Sequence, residues 1–181
     1  DVTFGFHTAV DIDTEVIDRI HTTASSHRRV MVIEIMGNKA GWLTLYSGIA
    51  GGADIILLPE LPYDINNVIA AVEKRAKAGY TTATARIARQ IEAATGFETR
   101  VCVPGHMQRG GSPSAYDRVL STQFGAHAAK LVENERYGVA VAMKNHAVTE
   151  NKLEDVAGKT RLVPEGCDMI TVARRMGICL G

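Results

Sequence analysis

The sequence predicts an α/β fold, built on a mostly parallel sheet with helices on both faces. Three observations support it: short, nearly continuous runs of β-branched and other apolar residues, longer amphipathic stretches between them, and 17 glycines at the boundaries. Parallel strands buried on both faces have this unbroken apolar character, and strands that alternate with helices are typical of βαβ units. We expect one lobe over residues 1–181, with a less periodic tail at 153–181 that adds one or two helices.

The first half of the chain is predicted to alternate helices with two strands. A helix at residues 13–25 precedes a strand at 30–35, and a second strand is expected at 54–58. After Asp64, which suits an N-cap, apolar residues at i, i+3, i+4 and i+7 predict a helix that ends near Gly79.

The second half continues the same alternation. A helix at residues 84–95 leads to a strand at 99–103. Ser112 and Pro113 together predict the start of the next helix, with Ser as the N-cap and Pro at the first helical position. A fourth strand is expected at 139–143.

Composition excludes several classes of protein. With 46% hydrophobic and 22% charged residues, the chain is typical of a folded globular protein. Its 20 basic and 20 acidic residues balance, so the basic excess of a nucleic-acid-binding domain is missing and no nucleic-acid partner is expected. No apolar run approaches the roughly 20 residues that span a bilayer, so no membrane partner is expected. The three cysteines are not spaced in pairs, which favours free thiols in a reducing cytoplasm.

Two glycine-containing loops follow predicted strands, at the sheet edge where α/β proteins bind ligands. The first, Met36-Gly-Asn-Lys-Ala-Gly-Trp42, lets backbone amides approach an anion or a polar ligand. The second, Pro104-Gly-His-Met-Gln-Arg-Gly-Gly-Ser-Pro113, places His106 and Arg109 three residues apart. A guanidinium, an imidazole and helix-terminal amides together suit a phosphate or a sugar phosphate.

Arg29 and Arg100 lie at the start of the strands that lead into these loops. Three arginines near strand ends favour an anionic ligand; the alternative is that Arg29 and Arg100 belong to surface ion pairs. The sequence contains no phosphate-binding loop of the GxxxxGK[ST] type, and no Ser-His-Asp or Cys-His constellation can be argued. These residues indicate a chain that receives a phosphorylated small molecule and has no nucleotide site of its own.

At these residues the chain resembles the phosphofructokinase family, specifically the C-terminal, sugar-phosphate-binding half of its catalytic chain. The resemblance runs nearly end to end and depends most on the Met36 loop and on the Gly105-His-Met-Gln-Arg-Gly-Gly-Ser-Pro113 motif. The supporting motifs are Phe4-Gly-Phe-His-Thr-Ala9, Ser26-His-Arg-Arg29, Gly48-Ile-Ala-Gly-Gly-Ala-Asp54, Pro59-Glu60, Glu98-Thr-Arg100 and Tyr116-Asp-Arg118.

The resemblance implies a Rossmann-like lobe of a cytoplasmic 6-phosphofructokinase, which phosphorylates the 1-hydroxyl of fructose 6-phosphate with ATP or pyrophosphate and Mg²⁺. Met36 and Gly37 would line the sugar, while His106 and Arg109 would hold its 6-phosphate and ring. Arg29 and Arg100 match arginines that reach the substrate of a neighbouring subunit, which implies a homo-oligomer, either a dimer or a tetramer.

The chain departs from the family in its catalytic parts. The nucleotide lobe, with the catalytic base and the Mg²⁺ carboxylates, is expected before Asp1, so no catalytic residue is expected here and the fragment alone is expected to be inactive. Asn38 stands near the phosphates where the family usually has an arginine, which removes one positive charge.

Two further departures from the family concern a strand near position 80 and the effector site. The family has a strand ending in a sugar-binding Glu at this point, but here Tyr80 runs directly into Thr81, which indicates a missing segment. The family's effector site uses basic residues where this chain has His21, Ala78 and Tyr80, so activation by nucleoside diphosphates is not expected.

Three functions stay open. Residues 155–164 and Ala40-Gly-Trp42 resemble the subgroup that mixes ATP-dependent with pyrophosphate-dependent enzymes. ATP is the predicted donor and pyrophosphate is the alternative. The third interpretation is a catalytically inactive module that binds sugar phosphate or regulates another subunit.

Overall fold

A computed structural model describes residues 2–27, 29–76 and 85–181. The chain divides into two compact units. The larger unit comprises Val10–Gly110 and Leu162–Gly181, and the smaller unit comprises Asp1–Ala9 and Gly111–Arg161.

Several predictions concern residues outside the described ranges. These are the helix end at Gly79, the missing segment between Tyr80 and Thr81, and the effector-site position Ala78. Within the described ranges, none of the helices is both long enough and apolar enough to cross a membrane.

The parallel sheet of the larger unit pairs β1 (Val30–Ile33) with β2 (Thr99–Cys102). Val30 lies opposite Thr99, and Ile33 lies opposite Cys102. The Glu34 N–H donates to the Cys102 carbonyl at 2.9 Å and extends the pairing. The strands predicted at 30–35 and 99–103 are confirmed, each with an earlier C-terminal end.

Helices account for most of the remaining regular structure. In chain order they are α1 (Phe6–His27), α2 (Trp42–Ala50), α3 (Ile65–Ala76), α4 (Ala85–Thr95), a 3-10 helix (Gly105–Arg109), α5 (Ala115–Glu133), α6 (Leu153–Val156) and α7 (Asp168–Arg175). The helices predicted after Asp64 and at 84–95 are confirmed, as are two helices in the tail. The Asp64 carboxylate accepts the Asn66 N–H at 2.9 Å and so acts as the predicted N-cap. α1 begins seven residues before the predicted position 13.

Two apolar cores hold the larger unit together. In the first, the buried residues Val68 and Val72 of α3 and Ile87 and Ile91 of α4 pack with Val30 of β1. The second core joins Leu45 of α2 and Ile170 and Ala173 of α7 to Ile56, Leu58, Val163, Ile178 and Leu180. The predicted α/β class, with a parallel sheet and packed helices, is confirmed.

The prediction of a strand at 54–58 is wrong. Ile55 makes only an isolated parallel bridge to Cys179, in which the Ile56 N–H donates to the Cys179 carbonyl at 2.9 Å. Ile56 and Leu58 are nevertheless buried. The apolar run therefore indicated burial correctly, but burial does not require a strand ladder on either side.

The smaller unit contains an antiparallel hairpin, which corrects the prediction of a parallel strand at 139–143. β3 (Val139–Lys144) pairs with β4 (Ala147–Lys152) through a two-residue turn. Asn145 and His146 form this turn with φ angles of 51° and 63°. Hairpin turns of this kind need two left-handed residues, and Asn and His accept that conformation more readily than most.

α5 also starts later than predicted. Its N-cap is Ser114 rather than Ser112, and the Ser114 hydroxyl accepts the Asp117 N–H at 3.2 Å. Pro113 precedes the N-cap and lies outside the helix. Two serines flank this proline, and the sequence pattern does not distinguish which of them supplies the cap.

Candidate functional site

The parallel pairing of β1 with β2 brings the two predicted site loops to the same edge of the sheet. Ile33 and Cys102 are partners at the carboxyl ends of the strands, and one loop leaves from each. Ligands of open α/β sheets bind at this edge. All seven residues proposed from the sequence for the sugar-phosphate site belong to the larger unit.

The first loop is a tight turn between β1 and α2. The Ala40 N–H donates to the Gly37 carbonyl at 2.9 Å. A Cβ atom added at Gly37 would lie only 2.3 Å from the carbonyl oxygen of Ala40, so no other residue fits at position 37 unless the turn rearranges. Asn38 follows with a φ of 56°, a left-handed conformation that asparagine tolerates.

The loop ends against a buried carboxylate. Glu60 accepts the Gly41 N–H at 2.9 Å and the Val163 N–H at 2.8 Å. These contacts fix the end of the loop, where α2 begins. Gly37, Asn38 and Lys39 are exposed between the two fixed ends. Lys39 was not singled out from the sequence, yet it places an ammonium beside the neutral Asn38.

The second loop contains the 3-10 helix, which sets the geometry of the basic residues. The Met107 N–H donates to the Pro104 carbonyl at 3.2 Å, and the Gly110 N–H donates to the Met107 carbonyl at 3.1 Å. Side chains three residues apart eclipse one another in a 3-10 helix. His106 and Arg109 therefore share one face, and both are exposed.

Gln108 lies on the buried side of the same turn and was overlooked as a site residue. Its side-chain oxygen accepts the Met36 N–H at 2.9 Å, and its amide nitrogen donates to the Gly105 carbonyl at 3.2 Å. The first of these hydrogen bonds joins the two loops. From sequence alone, a Gln between His106 and Arg109 suggests a third residue that contacts the bound molecule. Only its burial in the structure shows that it supports the loops instead.

Arg29 and Arg100 are placed apart from the two loops, towards the amino ends of the strands. The Arg29 Nε donates to the Glu98 carboxylate at 2.5 Å, and Arg100 pairs with the other oxygen of Glu98. The hydrogen bond from Arg29, with the positive charge of both arginines, holds the pKa of Glu98 below its usual range. Within this chain, Arg29 and Arg100 therefore form ion pairs with Glu98, as the alternative interpretation of the sequence expected.

The structure therefore divides the predicted residues into two groups. Met36, Gly37, Asn38, His106 and Arg109 lie on the loops at the carboxyl edge. The two arginines bound to Glu98 form the second group. Of the predicted effector-site residues, His21 lies exposed on α1.

The carboxyl-edge site suits an anion and does not fit Mg²⁺. Its side chains include the cations Arg109 and Lys39 and the imidazole of His106, and donors of this kind recognise phosphate oxygens. Within residues 2–27, 29–76 and 85–181, no three His, Cys, Asp or Glu side chains are grouped so as to hold a metal ion.

Comparisons with known proteins agree with this geometry. Residues 1–132 match the sequence profile of the phosphofructokinase family. A curated relative from Bacteroides thetaiotaomicron, named ATP-dependent 6-phosphofructokinase 3, is 49% identical, and the alignment covers 100% of this chain and 59% of the relative. A pyrophosphate–fructose 6-phosphate 1-phosphotransferase from Amycolatopsis mediterranei is 40% identical, with 91% of this chain and 58% of the relative covered.

A solved structure gives the same result at the level of the fold. Phosphofructokinase from Saccharomyces cerevisiae has a TM-score of 0.78 at 26% identity, over 97% of this chain and 25% of that one. This chain spans 59% and 58% of the length of the two curated relatives. Because the family profile covers more than half of the chain and includes both site loops, the chain belongs to the phosphofructokinase family.

Proposed function

We propose that this chain is the sugar-phosphate-binding part of a 6-phosphofructokinase, the glycolytic enzyme that transfers a phosphoryl group to the 1-hydroxyl of fructose 6-phosphate. One observation carries the proposal: His106 and Arg109 share a face of the 3-10 helix, beside the Met36 loop and at the ligand-binding edge of a parallel sheet. The names of the curated relatives support the same reaction.

Each residue has a distinct task in this proposal. Arg109 offers its planar fork of N–H donors to two oxygens of the 6-phosphate, and His106 adds a further donor. Met36 and Gly37 line the sugar, and the absence of a side chain at Gly37 lets the substrate approach the backbone. Asn38 contacts the phosphate region without charge, while Lys39 supplies positive charge from the next position.

The contribution of these residues to the reaction is orientation of the acceptor. Fixing the 6-phosphate directs the 1-hydroxyl at the opposite end of the sugar towards the donor, and phosphoryl transfer depends largely on such positioning and on charge stabilisation. Mg²⁺, which phosphoryl-transfer enzymes generally use to neutralise the donor, is proposed to bind residues other than those of the two loops.

ATP is the proposed donor, and pyrophosphate is the second candidate. The relative that is 49% identical carries an ATP-dependent name, whereas the relative that is 40% identical carries a pyrophosphate-dependent one. Arg29 and Arg100 are proposed to serve the site of a neighbouring subunit, in a cytoplasmic homo-oligomer. Their position near the amino ends of the strands, away from His106 and Arg109, supports this assignment.

Substitution of Arg109 tests the proposed site directly. In the full-length protein, Arg109→Ala should raise the KM for fructose 6-phosphate about a hundredfold, because a charge-assisted phosphate contact of about 2–4 kcal/mol is lost. The KM for the donor should change little. Arg89→Ala is the matched control, since it removes an exposed arginine from α4 of the same unit.

Assays with ATP and with pyrophosphate distinguish the three functions. Turnover of fructose 6-phosphate with one donor identifies that donor. Tight binding of fructose 6-phosphate without turnover by either donor would instead support an inactive binding module.

For the Arg109 experiment, an Arg109→Ala variant whose KM for fructose 6-phosphate equals that of Arg89→Ala would contradict the proposed site.

A further inference from the structure

We propose that Gln108 is a positioning residue that holds the phosphate-binding turn against the sugar-binding loop. The inference rests on the proposed function, which assigns His106 and Arg109 to the phosphate and Met36 and Gly37 to the sugar. Gln108 touches neither ligand in this proposal. It sets the spacing between the two groups that do.

The side-chain amide of Gln108 forms hydrogen bonds with both loops. Its Oε1 accepts the Met36 N–H at 2.9 Å and its Nε2 donates to the Gly105 carbonyl at 3.2 Å. One bond reaches across to the other loop, and the second closes the turn that Gln108 itself belongs to. A single planar amide thereby fixes both loops relative to each other.

Burial separates Gln108 from the ligand-binding residues on either side of it. Gln108 is 3% exposed, whereas Met107 beside it is 70% exposed. His106 and Arg109 are also exposed. Since Gln108 faces inward and both polar ends of its amide are engaged, it is oriented to support the loops and not to contact a bound sugar.

The chemistry of the position explains why an amide is needed. The Met36 N–H requires an acceptor and the Gly105 carbonyl requires a donor, and a buried backbone group without a partner is costly. An apolar residue satisfies neither group, and a carboxylate satisfies only the first. Glutamine supplies the acceptor and the donor on one rigid group.

Because Gln108 joins the two loops, the proposed sugar contacts of Met36 and Gly37 keep a fixed position relative to the proposed phosphate contacts of His106 and Arg109. A misplacement of about 1 Å in a substrate-positioning group can cost on the order of 100-fold in rate. Loss of the Gln108 bridge should therefore weaken recognition of the substrate while leaving every ligand-binding side chain present.

The test compares two variants of the full-length protein. Gln108→Leu removes both hydrogen bonds at a similar side-chain volume. Thr95→Val is the matched control, because the Thr95 hydroxyl also donates to a carbonyl, that of Ile91 at 2.7 Å, and accepts an amide, that of Phe97 at 3.3 Å. Both residues belong to the larger unit, and Thr95 lies at the end of α4.

We expect Gln108→Leu to raise both the KM and the dissociation constant for fructose 6-phosphate at least about tenfold, with a smaller change in kcat and in the KM for the donor. Thr95→Val should lose comparable thermal stability but keep the sugar-phosphate KM within about twofold. The amide of Met36 should exchange its hydrogen faster in Gln108→Leu and at the original rate in Thr95→Val.

A second variant adds a pH-dependent rescue. In Gln108→Glu the ionised carboxylate can accept the Met36 N–H, but it cannot donate to the Gly105 carbonyl. Burial at this position should raise the pKa of the introduced carboxyl group, and its protonation restores the donor. The KM of the variant relative to that of the unsubstituted protein should therefore fall as the pH is lowered from 8 to 5. This variant keeps the inference testable if Gln108→Leu fails to fold.

The two possible failures are distinguishable. If the unsubstituted protein does not bind fructose 6-phosphate, the proposed function is wrong. If it binds the sugar phosphate and Gln108→Leu binds equally well, or if Gln108→Glu at pH 8 binds as tightly as the unsubstituted protein, the positioning role of Gln108 is overturned while the proposed function stands.

Discussion

At the scale of single residues, Asp13 of α1 is a carboxylic acid placed in the interior. It is fully buried, and neither of its oxygens has a hydrogen bond of ordinary geometry within the described residues. Burial raises the pKa of Asp13 to about 6, and the neighbouring Ser47 hydroxyl offsets only part of this effect. The larger unit therefore contains an acid that folding favours in its protonated form.

Asp13 should make the stability of the protein depend on pH. The pKa of the folded state, about 6, lies above the ordinary value of 3.8. The contribution of this group to stability is therefore full below about pH 4 and is lost as the pH rises to about 6. A difference of this size corresponds to about 3 kcal/mol.

Urea unfolding at pH 4.5 and pH 8 measures this effect. Asp13→Asn should gain stability relative to the unsubstituted protein between these two pH values. Asp11→Asn, an exposed position on the same helix, should show no such gain. Equal pH dependence in Asp13→Asn and the unsubstituted protein would contradict the assignment.

Single residues also show the limits of sequence analysis. His106 and Arg109 were found because basic residues three apart in a glycine-rich loop have a direct chemical meaning. Gln108 and Asp13 were not found, because their roles depend on burial. An uncharged amide within a ligand motif and an acid on an amphipathic helix both appear exposed until the packing is known.

At the scale of elements, Asp117 of α5 anchors the start of α1 within the smaller unit. Its carboxylate accepts the Gly5 N–H at 2.8 Å, the Thr8 N–H at 2.7 Å and the Thr8 hydroxyl at 2.5 Å. Burial alone would raise the pKa of Asp117, but the hydrogen bonds from Thr8, Gly5 and Ser114 outweigh it and lower the pKa. The motifs around Phe4 and Tyr116 are therefore joined by hydrogen bonds that attach the start of α1 to α5.

Replacement of this carboxylate should weaken the attachment of α1 to α5. Asp117→Asn replaces an ionised acceptor with a neutral amide and should cost about 3 kcal/mol at pH 7. Because the folded pKa is depressed, this contribution is present above the ordinary value of 3.8 and is lost only as the pH falls through the folded value. Chemical denaturation measures the cost, and Asp155→Asn, an exposed acid of the same unit, should unfold as the unsubstituted protein does. A cost equal to that of Asp155→Asn would rule out the anchoring role.

Elements could be predicted where a pattern has one structural meaning. Residues 30–33 form a strand in which Val30 and Val32 are buried, and residues 99–102 pair with it in parallel although Val101 is exposed. Residues 54–58 are similarly apolar but make only an isolated backbone bridge to Cys179, and 139–144 pair locally because a two-residue turn follows them. α2 was missed because Gly41 and Trp42 had been assigned to a ligand loop, although the helix begins at Trp42.

At the scale of the whole molecule, the separation of Arg29 and Arg100 from Arg109 predicts shared sites between subunits. Full-length Arg100→Ala subunits mixed with Arg109→Ala subunits should regain activity after exchange. In such hybrids, one site combines an intact Arg109 with an intact Arg100 from its neighbour.

A second mixture controls for this result. Arg29→Ala combined with Arg100→Ala should stay inactive, because every hybrid site then lacks one of the two arginines. Activity measured after verified subunit exchange decides the outcome. Hybrids of Arg100→Ala with Arg109→Ala that stay as inactive as the control mixture would remove the support for neighbouring-subunit arginines.

The central claim is that the loops after β1 and β2 together bind fructose 6-phosphate through its phosphate. Hydrogen–deuterium exchange of the full-length protein tests it most directly, with fructose 6-phosphate compared against fructose at equal concentration. We predict slower exchange in residues 36–41 and 105–110 with fructose 6-phosphate, little effect of fructose, and unchanged exchange in the β3–β4 hairpin. Protection that is absent from both loops, or that fructose produces equally, would contradict the claim.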